Sequence, residues 1–170
     1  FIEKDNNARK MSSKMIEDLG EVDMATPEAL TDFVAWAREN YPARRYALIL
    51  WNHGTGWKEI SPNIMEMEMP PVEIPAGMQT AIDNISYNIS YDDSSYTSMD
   101  IPTLRKTLAE VRKILGQPID LLGFDACLMQ MAEVAWAAAP HALYQVACPD
   151  QEPERGWHYD LIAQAVNKKP

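Results

Sequence analysis

One stretch of the 170-residue chain, Ile119 to Trp136, constrains the fold more than any other. Ile119 to Phe124 is short and almost entirely apolar, which is typical of a strand buried on both faces of a parallel sheet. From Leu128 to Ala139 the apolar residues keep helical spacing, and a proline then ends the pattern. The sequence therefore predicts a strand, a short connection that contains Cys127, and a helix over Leu128–Ala139.

In this arrangement Cys127 would lie at the carboxyl end of the strand and the amino end of the helix. Ligands and reactive groups collect at that edge of open α/β sheets. The amino end of a helix also favours a thiolate over a thiol. The alternative is that Cys127 is a small buried side chain, as most free cysteines are. Its position alone does not decide between these two interpretations.

A second apolar stretch, Tyr46 to Trp51, predicts another buried strand, which runs into a glycine-containing loop with His53. Predicted helices lie before this strand and between it and the Cys127 strand. Such an alternation predicts a βαβ crossover and parallel strands. Because the carboxyl ends of parallel strands share one edge, His53 and Cys127 are expected at the same edge of the sheet.

Local signals predict three more helices and one more strand. A Thr-Pro-Glu start predicts a helix from Pro27 to about Asn40. An aspartate cap and a glycine stop predict a second helix between Asp100 and Gly116. Leu143 to Ala147 predicts a third short strand, and Tyr159 to Val166 predicts a last helix.

Residues 58–100 are predicted to be an insertion between the two halves of the sheet. Met65–Met69 and Asn84–Tyr91 alternate with a period of two, which indicates half-exposed strands. One interpretation is a small hairpin or flap, and the other is an ordered surface loop.

Charge and composition limit the classes of function. The chain has 15 basic and 25 acidic residues, and its net charge of −10 argues against nucleic acid and anionic membrane surfaces as partners. No apolar run is long enough for a membrane span. Two cysteines do not make a disulfide framework. The chain starts at Phe1 without a signal peptide, and we interpret residues 1–170 as a single domain that is incomplete at both ends.

Two motifs, YALILWNHGTGW at residues 46–57 and LLGFDACLMQMAEVAW at residues 121–136, together resemble the clostripain family of cysteine peptidases, relatives of caspases, gingipains and legumain. The resemblance extends over roughly residues 20–162. It implies an α/β fold, namely a caspase-like αβα sandwich with a mainly parallel sheet, here lacking its N-terminal strand. It also implies a bacterial protein that is secreted or located in the cell envelope.

The resemblance further implies a cysteine endopeptidase that cleaves after Arg or Lys. Cys127 would be the nucleophile, and His53 the general acid that protonates the leaving amine. The backbone N–H groups of Gly54 and Cys127 would bind the oxyanion. Asp125 would pair with the basic substrate side chain, because an unpaired buried cation is costly; the alternative for it is a helix cap. Asp150 is a second candidate for the pocket.

The expected partner is therefore a peptide or protein with a basic residue before the scissile bond. No cofactor and no metal ligand is expected; calcium dependence and oligomeric state are left open. A non-catalytic peptide-binding relative, or an inactive fragment of the same fold, is one alternative. Another is a flavodoxin-like redox or ligand-binding module, which a glycine-rich phosphate loop after the first strand would favour; the sequence has none there.

Overall fold

The computed structural model describes residues 13–56, 88–153 and 155–167. In these ranges the chain forms, in order, α1 (Pro27–Asn40), β1 (Ala47–Trp51), β2 (Asn88–Asp92), β3 (Thr97–Asp100), α2 (Ile101–Leu115), β4 (Ile119–Asp125), α3 (Ala132–Ala138), β5 (Ala142–Ala147) and α4 (Tyr159–Asn167).

The central sheet has three strands, with β4 in the middle and β1 and β5 parallel to it. The predicted crossover between parallel strands is therefore confirmed. β4 takes the central place because both of its faces can be covered. Leu122 and Phe124 on one face are fully buried. On the other face Gly123 lies so close to Trp157 that an ideal Cβ would be 2.9 Å from the indole ring.

α2 provides the apolar face that packs on the sheet. Leu104, Leu108 and Val111 are spaced by four and three residues and are fully buried. The carboxylate of Asp100 accepts the N–H of Thr103 at 2.6 Å and caps the helix. Both α1 and α3 pack against α2. Right-handed crossovers in the strand order β1-β4-β5 place α2 and α3 on the same face of the sheet.

β2 and β3 form an antiparallel hairpin before α2. Its first strand confirms part of the Asn84–Tyr91 prediction, but the half-exposed alternation is wrong there. Ile89 is fully buried, and Ser90 has a φ of 59°, which breaks the regular pleat. The predicted Met65–Met69 strand and the rest of the flap, residues 57–87, lie outside the described residues.

The predicted helix Leu128–Ala139 is wrong in its first part. Only Ala132–Ala138 is helical. Residues 126–131 form a turn, in which Leu128 has a φ of 62°. A left-handed residue at this point is incompatible with a helix that starts directly after β4.

Candidate active site

The carboxyl edge of the sheet brings together the loops that follow β1 and β4. Trp51 is paired with Asp125 in the register of these strands, so His53 and Cys127 each lie two residues beyond the last pair. The N–H of Asn52 donates to the carbonyl oxygen of Asp125 at 3.3 Å, which extends the ladder past the strand ends. His53 and Cys127 thus occupy equivalent positions on one edge.

Two glycines allow the His53 loop to lie directly against the Cys127 turn. An ideal Cβ on Gly54 would be 2.6 Å from the carbonyl oxygen of Cys127. One on Gly56, which has a φ of 60°, would be 2.5 Å from the carbonyl oxygen of Leu128. Because real Cβ atoms do not approach backbone oxygen this closely, a larger residue at either position would push the two segments apart.

Asn52 fixes the backbone at His53. Its Oδ1 accepts the N–H of His53 at 2.6 Å and the N–H of Tyr91 at 2.8 Å, so one side chain joins the loop to β2. His53 itself is exposed and can be reached from solvent. Asn52 could not be predicted from the sequence, because its role depends on a contact 39 residues along the chain.

Cys127 is half-buried in the turn of residues 126–131. The N–H of Glu152 donates to its Sγ at 3.2 Å. A donor at this place would stabilise a negative charge on the sulfur. Within the turn itself, the N–H groups of Leu128 and Gln130 donate to carbonyl oxygens of the loop after β5, at 2.9 and 3.0 Å.

The expected helix does not begin at Leu128, because Leu128 has a left-handed φ of 62°. The N–H groups of the turn are directed to another segment rather than to carbonyls within the turn. α3 begins only at Ala132, and its N-cap, Met131, makes no side-chain capping bond. The expectation that a helix amino end stabilises the Cys127 thiolate is therefore wrong, because helix dipole effects fade within the first turn. The hydrogen-bond donor that reaches the Cys127 sulfur is instead the N–H of Glu152.

The two backbone groups expected to bind an oxyanion lie on this same edge. Within residues 13–56, 88–153 and 155–167, neither the Gly54 N–H nor the Cys127 N–H donates a hydrogen bond to the protein. N–H donors that are free and fixed in place suit the charge that develops on a tetrahedral intermediate.

Asp125 is the buried acid of the site, with only 2% of its surface exposed. Its Oδ2 accepts the N–H of Trp157 at 2.9 Å and the hydroxyl of Tyr159 at 2.7 Å. Its Oδ1 is buried and has no hydrogen-bond partner among the described residues. The helix-cap alternative for Asp125 is wrong, because its side chain binds residues 157–159 and not the start of α3.

The hydroxyl of Tyr159 keeps its proton and donates it in the hydrogen bond to this carboxylate. Burial, followed by the hydrogen bond to Asp125 and the charges of Asp125 and Glu152, raises the pKa of Tyr159 well above its ordinary value. The phenol therefore stays protonated across the neutral and mildly alkaline range. Neither Tyr159 nor Trp157 was predicted to belong to the site; their position shortly after the acidic stretch Asp150–Glu154 was the one available signal.

Asp150, the second pocket candidate, lies in a different environment. It is exposed, and its carboxylate accepts the N–H of Gln151 at 2.8 Å. Its carbonyl oxygen, rather than its carboxylate, contacts the Cys127 turn, through the N–H of Leu128. Of the two acids, Asp125 is therefore the one in a water-excluded position.

The other cysteine, Cys148, is half-buried, and both cysteines are free thiols. Its Sγ lies 3.7 Å from the carbonyl oxygen of Gln151. A backbone hydrogen bond at Asp150 lowers the pKa of Cys148, but burial together with the hydrogen bond to Glu152 and the nearby acidic charges raises it overall. Cys148 therefore ionises less readily than an ordinary cysteine thiol.

In the part of the chain that the structure describes, no group of three or more His, Cys, Asp or Glu side chains could hold a metal ion. The helices of that part are also too short or too polar to cross a bilayer.

Comparison with known proteins shows which family the chain resembles in sequence and fold. The sequence pattern of the clostripain family matches residues 2–67 and 78–170. Clostripain from Hathewaya histolytica is 32% identical over 122 residues, which are 71% of this chain and 19% of that protein.

Two solved structures have a similar fold. A secreted C11 cysteine protease from Bacteroides thetaiotaomicron, in complex with an irreversible peptide inhibitor, gives a TM-score of 0.58 at 23% identity over 84% of this chain. An inactive zymogen C11 protease from Parabacteroides distasonis gives 0.50 at 27% identity over 79%. The chain spans 33% and 29% of those two chains. The predicted fold class, caspase-like α/β with a mainly parallel sheet, is confirmed.

Proposed function

Because the chain belongs to the clostripain family of cysteine peptidases, we propose that it forms the centre of a cysteine endopeptidase that cleaves after Arg or Lys. One observation supports this proposal most strongly. A histidine and a cysteine occupy equivalent positions on one sheet edge, their loops touch through Gly54, and a buried acid, Asp125, ends the cysteine strand.

In the proposed reaction Cys127 is the nucleophile and His53 is the acid–base group. The Cys127 thiolate attacks the carbonyl carbon of the scissile bond, and the resulting oxyanion accepts the N–H groups of Gly54 and Cys127. The His53 imidazolium gives its proton to the leaving amine, and a thioester remains. Water then attacks the thioester while His53 accepts its proton, which releases the acid product and restores the thiolate.

Asp125 would provide the preference for a basic side chain. Its Oδ1 is buried and has no hydrogen-bond partner among the residues that the structure describes, and a buried carboxylate oxygen of this kind is stabilised by a cation that donates to it. The same atom is closed to solvent, so a Lys or Arg side chain would reach it only when the residues packed over the carboxylate move aside. Asp150, which is exposed, would contribute at most a charge at the rim.

The partner in this proposal is a peptide or protein with a basic residue before the scissile bond, and neither a metal nor a cofactor takes part. The relative from Bacteroides thetaiotaomicron is described as secreted, and we propose the same, or a place in the cell envelope, for the protein of this chain. A flavodoxin-like module is set aside, because the chain belongs to a peptidase family.

The direct test is hydrolysis of matched fluorogenic peptides that end in Arg, Lys or Asp, using the full-length protein. We expect cleavage of the Arg and Lys peptides and none of the Asp peptide. Cleavage of the Asp peptide would contradict the proposed specificity. Binding of basic peptides without any hydrolysis would instead support the non-catalytic relative.

A further inference from the structure

The two oxygens of the Asp125 carboxylate differ in the hydrogen bonds that they accept. Both of its hydrogen bonds, from the Trp157 N–H and the Tyr159 hydroxyl, end on Oδ2, and Oδ1 receives none from the described residues. An ionised carboxylate has about four lone-pair positions, two on each oxygen. Oδ2 is therefore fully used by the protein, and Oδ1 retains its whole capacity for another donor.

The two donors belong to one segment, and glycines at two positions allow this segment to lie close to Asp125 and β4. Gly156 has a φ of 63°, and an ideal Cβ on it would be 2.6 Å from Oδ2, so a larger residue would not fit. The ring of Trp157 lies over Gly123 in β4, which fixes the segment on the sheet. Tyr159 then begins α4.

We propose that Tyr159 is the positioning residue for the specificity carboxylate: its hydroxyl holds Asp125 so that Oδ1 is the oxygen offered to the basic side chain of the substrate. This inference rests on the proposed function and extends it to a residue outside the cysteine and histidine loops. Tyr159 acts through Asp125 and does not itself contact the substrate.

The physical reason is the freedom of a carboxylate to rotate. With two donors on Oδ2 the plane of the group is fixed, and a short bond to a charged acceptor is among the stronger hydrogen bonds in proteins. Without the Tyr159 hydroxyl, only the Trp157 N–H donates to Oδ2, so the direction in which Oδ1 is presented is less tightly fixed. Binding of the basic side chain is then weakened, whereas the chemistry at Cys127 is not directly affected.

The test is the substitution Tyr159→Phe in the full-length protein, with kcat and KM measured on a Lys peptide and an Arg peptide. We expect KM to rise about tenfold with a much smaller change in kcat. The rate at which iodoacetamide modifies Cys127, followed on the Cys127 peptide by mass spectrometry, should be unchanged. Tyr144→Phe is the matched control, because Tyr144 is 71% exposed on β5, and it should leave both constants unchanged.

The same substitution in an Asp125→Asn background separates positioning from a general structural role. If Tyr159 acts through the carboxylate, adding Tyr159→Phe to Asp125→Asn should change KM less than about twofold. A full tenfold effect in that background, or no effect in the unaltered protein, would overturn the inference. The proposed function fails separately, if the unaltered protein cleaves neither basic peptide.

Discussion

At the scale of single residues, the proposed specificity depends on the charge of Asp125. Asp125→Asn keeps the shape of the side chain and one oxygen that can accept the Tyr159 hydroxyl, but it removes the negative charge. We expect kcat/KM on Arg and Lys peptides to fall by about 2–4 kcal/mol in transition-state binding, or roughly 30- to 1,000-fold. Asp150→Asn should have a much smaller effect, because Asp150 is exposed. An unchanged preference in Asp125→Asn would assign the pocket charge to Asp150.

A second residue-scale prediction concerns stability in mild acid. His141 is 9% exposed, and neither ring nitrogen has a hydrogen-bond partner among the described residues. Burial first, and then the charges of Arg105 and Arg112, lower the pKa of His141. Because its pKa in the unfolded chain is about 6.5, the unfolded state binds more protons below that pH. The free energy of unfolding should therefore fall as the pH drops below about 6.5, until the lowered pKa of the folded state is passed.

The measurement is urea unfolding at several pH values between 7.5 and 5. His141→Gln should show a shallower loss of stability over this range than the unaltered protein. His158→Gln, which changes an exposed histidine, is the control and should keep the original slope. Equal slopes for all three proteins would show that His141 does not titrate as the structure indicates.

At the scale of elements, local signals were sufficient for the three strands of the parallel sheet and for most helices, but not for β3. β4 and α2 were predictable because an apolar run, an aspartate cap and a glycine stop each act within a few residues. The turn at residues 126–131 was not, because Leu128 adopts a φ of 62° where the turn contacts a segment 22 residues later in the chain. Helical spacing of apolar residues could not reveal that contact.

In the site, too, the features with local sequence signals were predictable, and those that depend on distant contacts were not. The edge positions of His53 and Cys127 follow from two parallel strands, which the sequence predicted, and their proposed roles follow from the family resemblance. The hydrogen bond from Tyr159 to Asp125 spans 34 residues and leaves no local pattern. This hydrogen bond becomes apparent only in the folded structure.

A prediction at this scale concerns the contact between the His53 loop and the Cys127 turn. Gly54→Ala would place a Cβ 2.6 Å from the Cys127 carbonyl oxygen, so the two segments must separate. We expect kcat/KM to fall by roughly 100-fold, since a displacement of about 1 Å is enough for such a loss. Gly20→Ala is the control: no atom lies within 4 Å of its ideal Cβ, and only stability should change. Full activity of Gly54→Ala would show that this contact is not needed.

At the scale of the whole molecule, the distribution of basic residues bears on maturation. The resemblance to the clostripain family implies a maturation cut after a basic residue, between the histidine and cysteine halves. Here residues 59–104 contain neither Lys nor Arg. Arg105 lies inside α2 with its guanidinium 4.1 Å from the ring of Trp136, so a cut there requires local unfolding. Lys58 lies outside the described residues and only five positions after His53.

We therefore predict that the protein does not cut itself between its two halves. Purified full-length protein should be incubated and its new N-termini mapped by mass spectrometry, beside Cys127→Ala as the inactive control. No N-terminus that depends on Cys127 should appear between His53 and Cys127. A fragment that starts at Glu59 in the active protein alone would show self-cleavage after Lys58 and contradict the prediction.

The central claim, that Cys127 is the nucleophile of a peptidase, is tested most directly by comparing two cysteine variants on one Arg peptide. Cys127→Ala removes a half-buried sulfur from a turn and should abolish hydrolysis while the thermal unfolding curve stays cooperative. Cys148→Ala removes the neighbouring thiol, whose pKa is raised, and should retain activity close to that of the unaltered protein. Hydrolysis that survives in Cys127→Ala but is lost in Cys148→Ala would contradict the account.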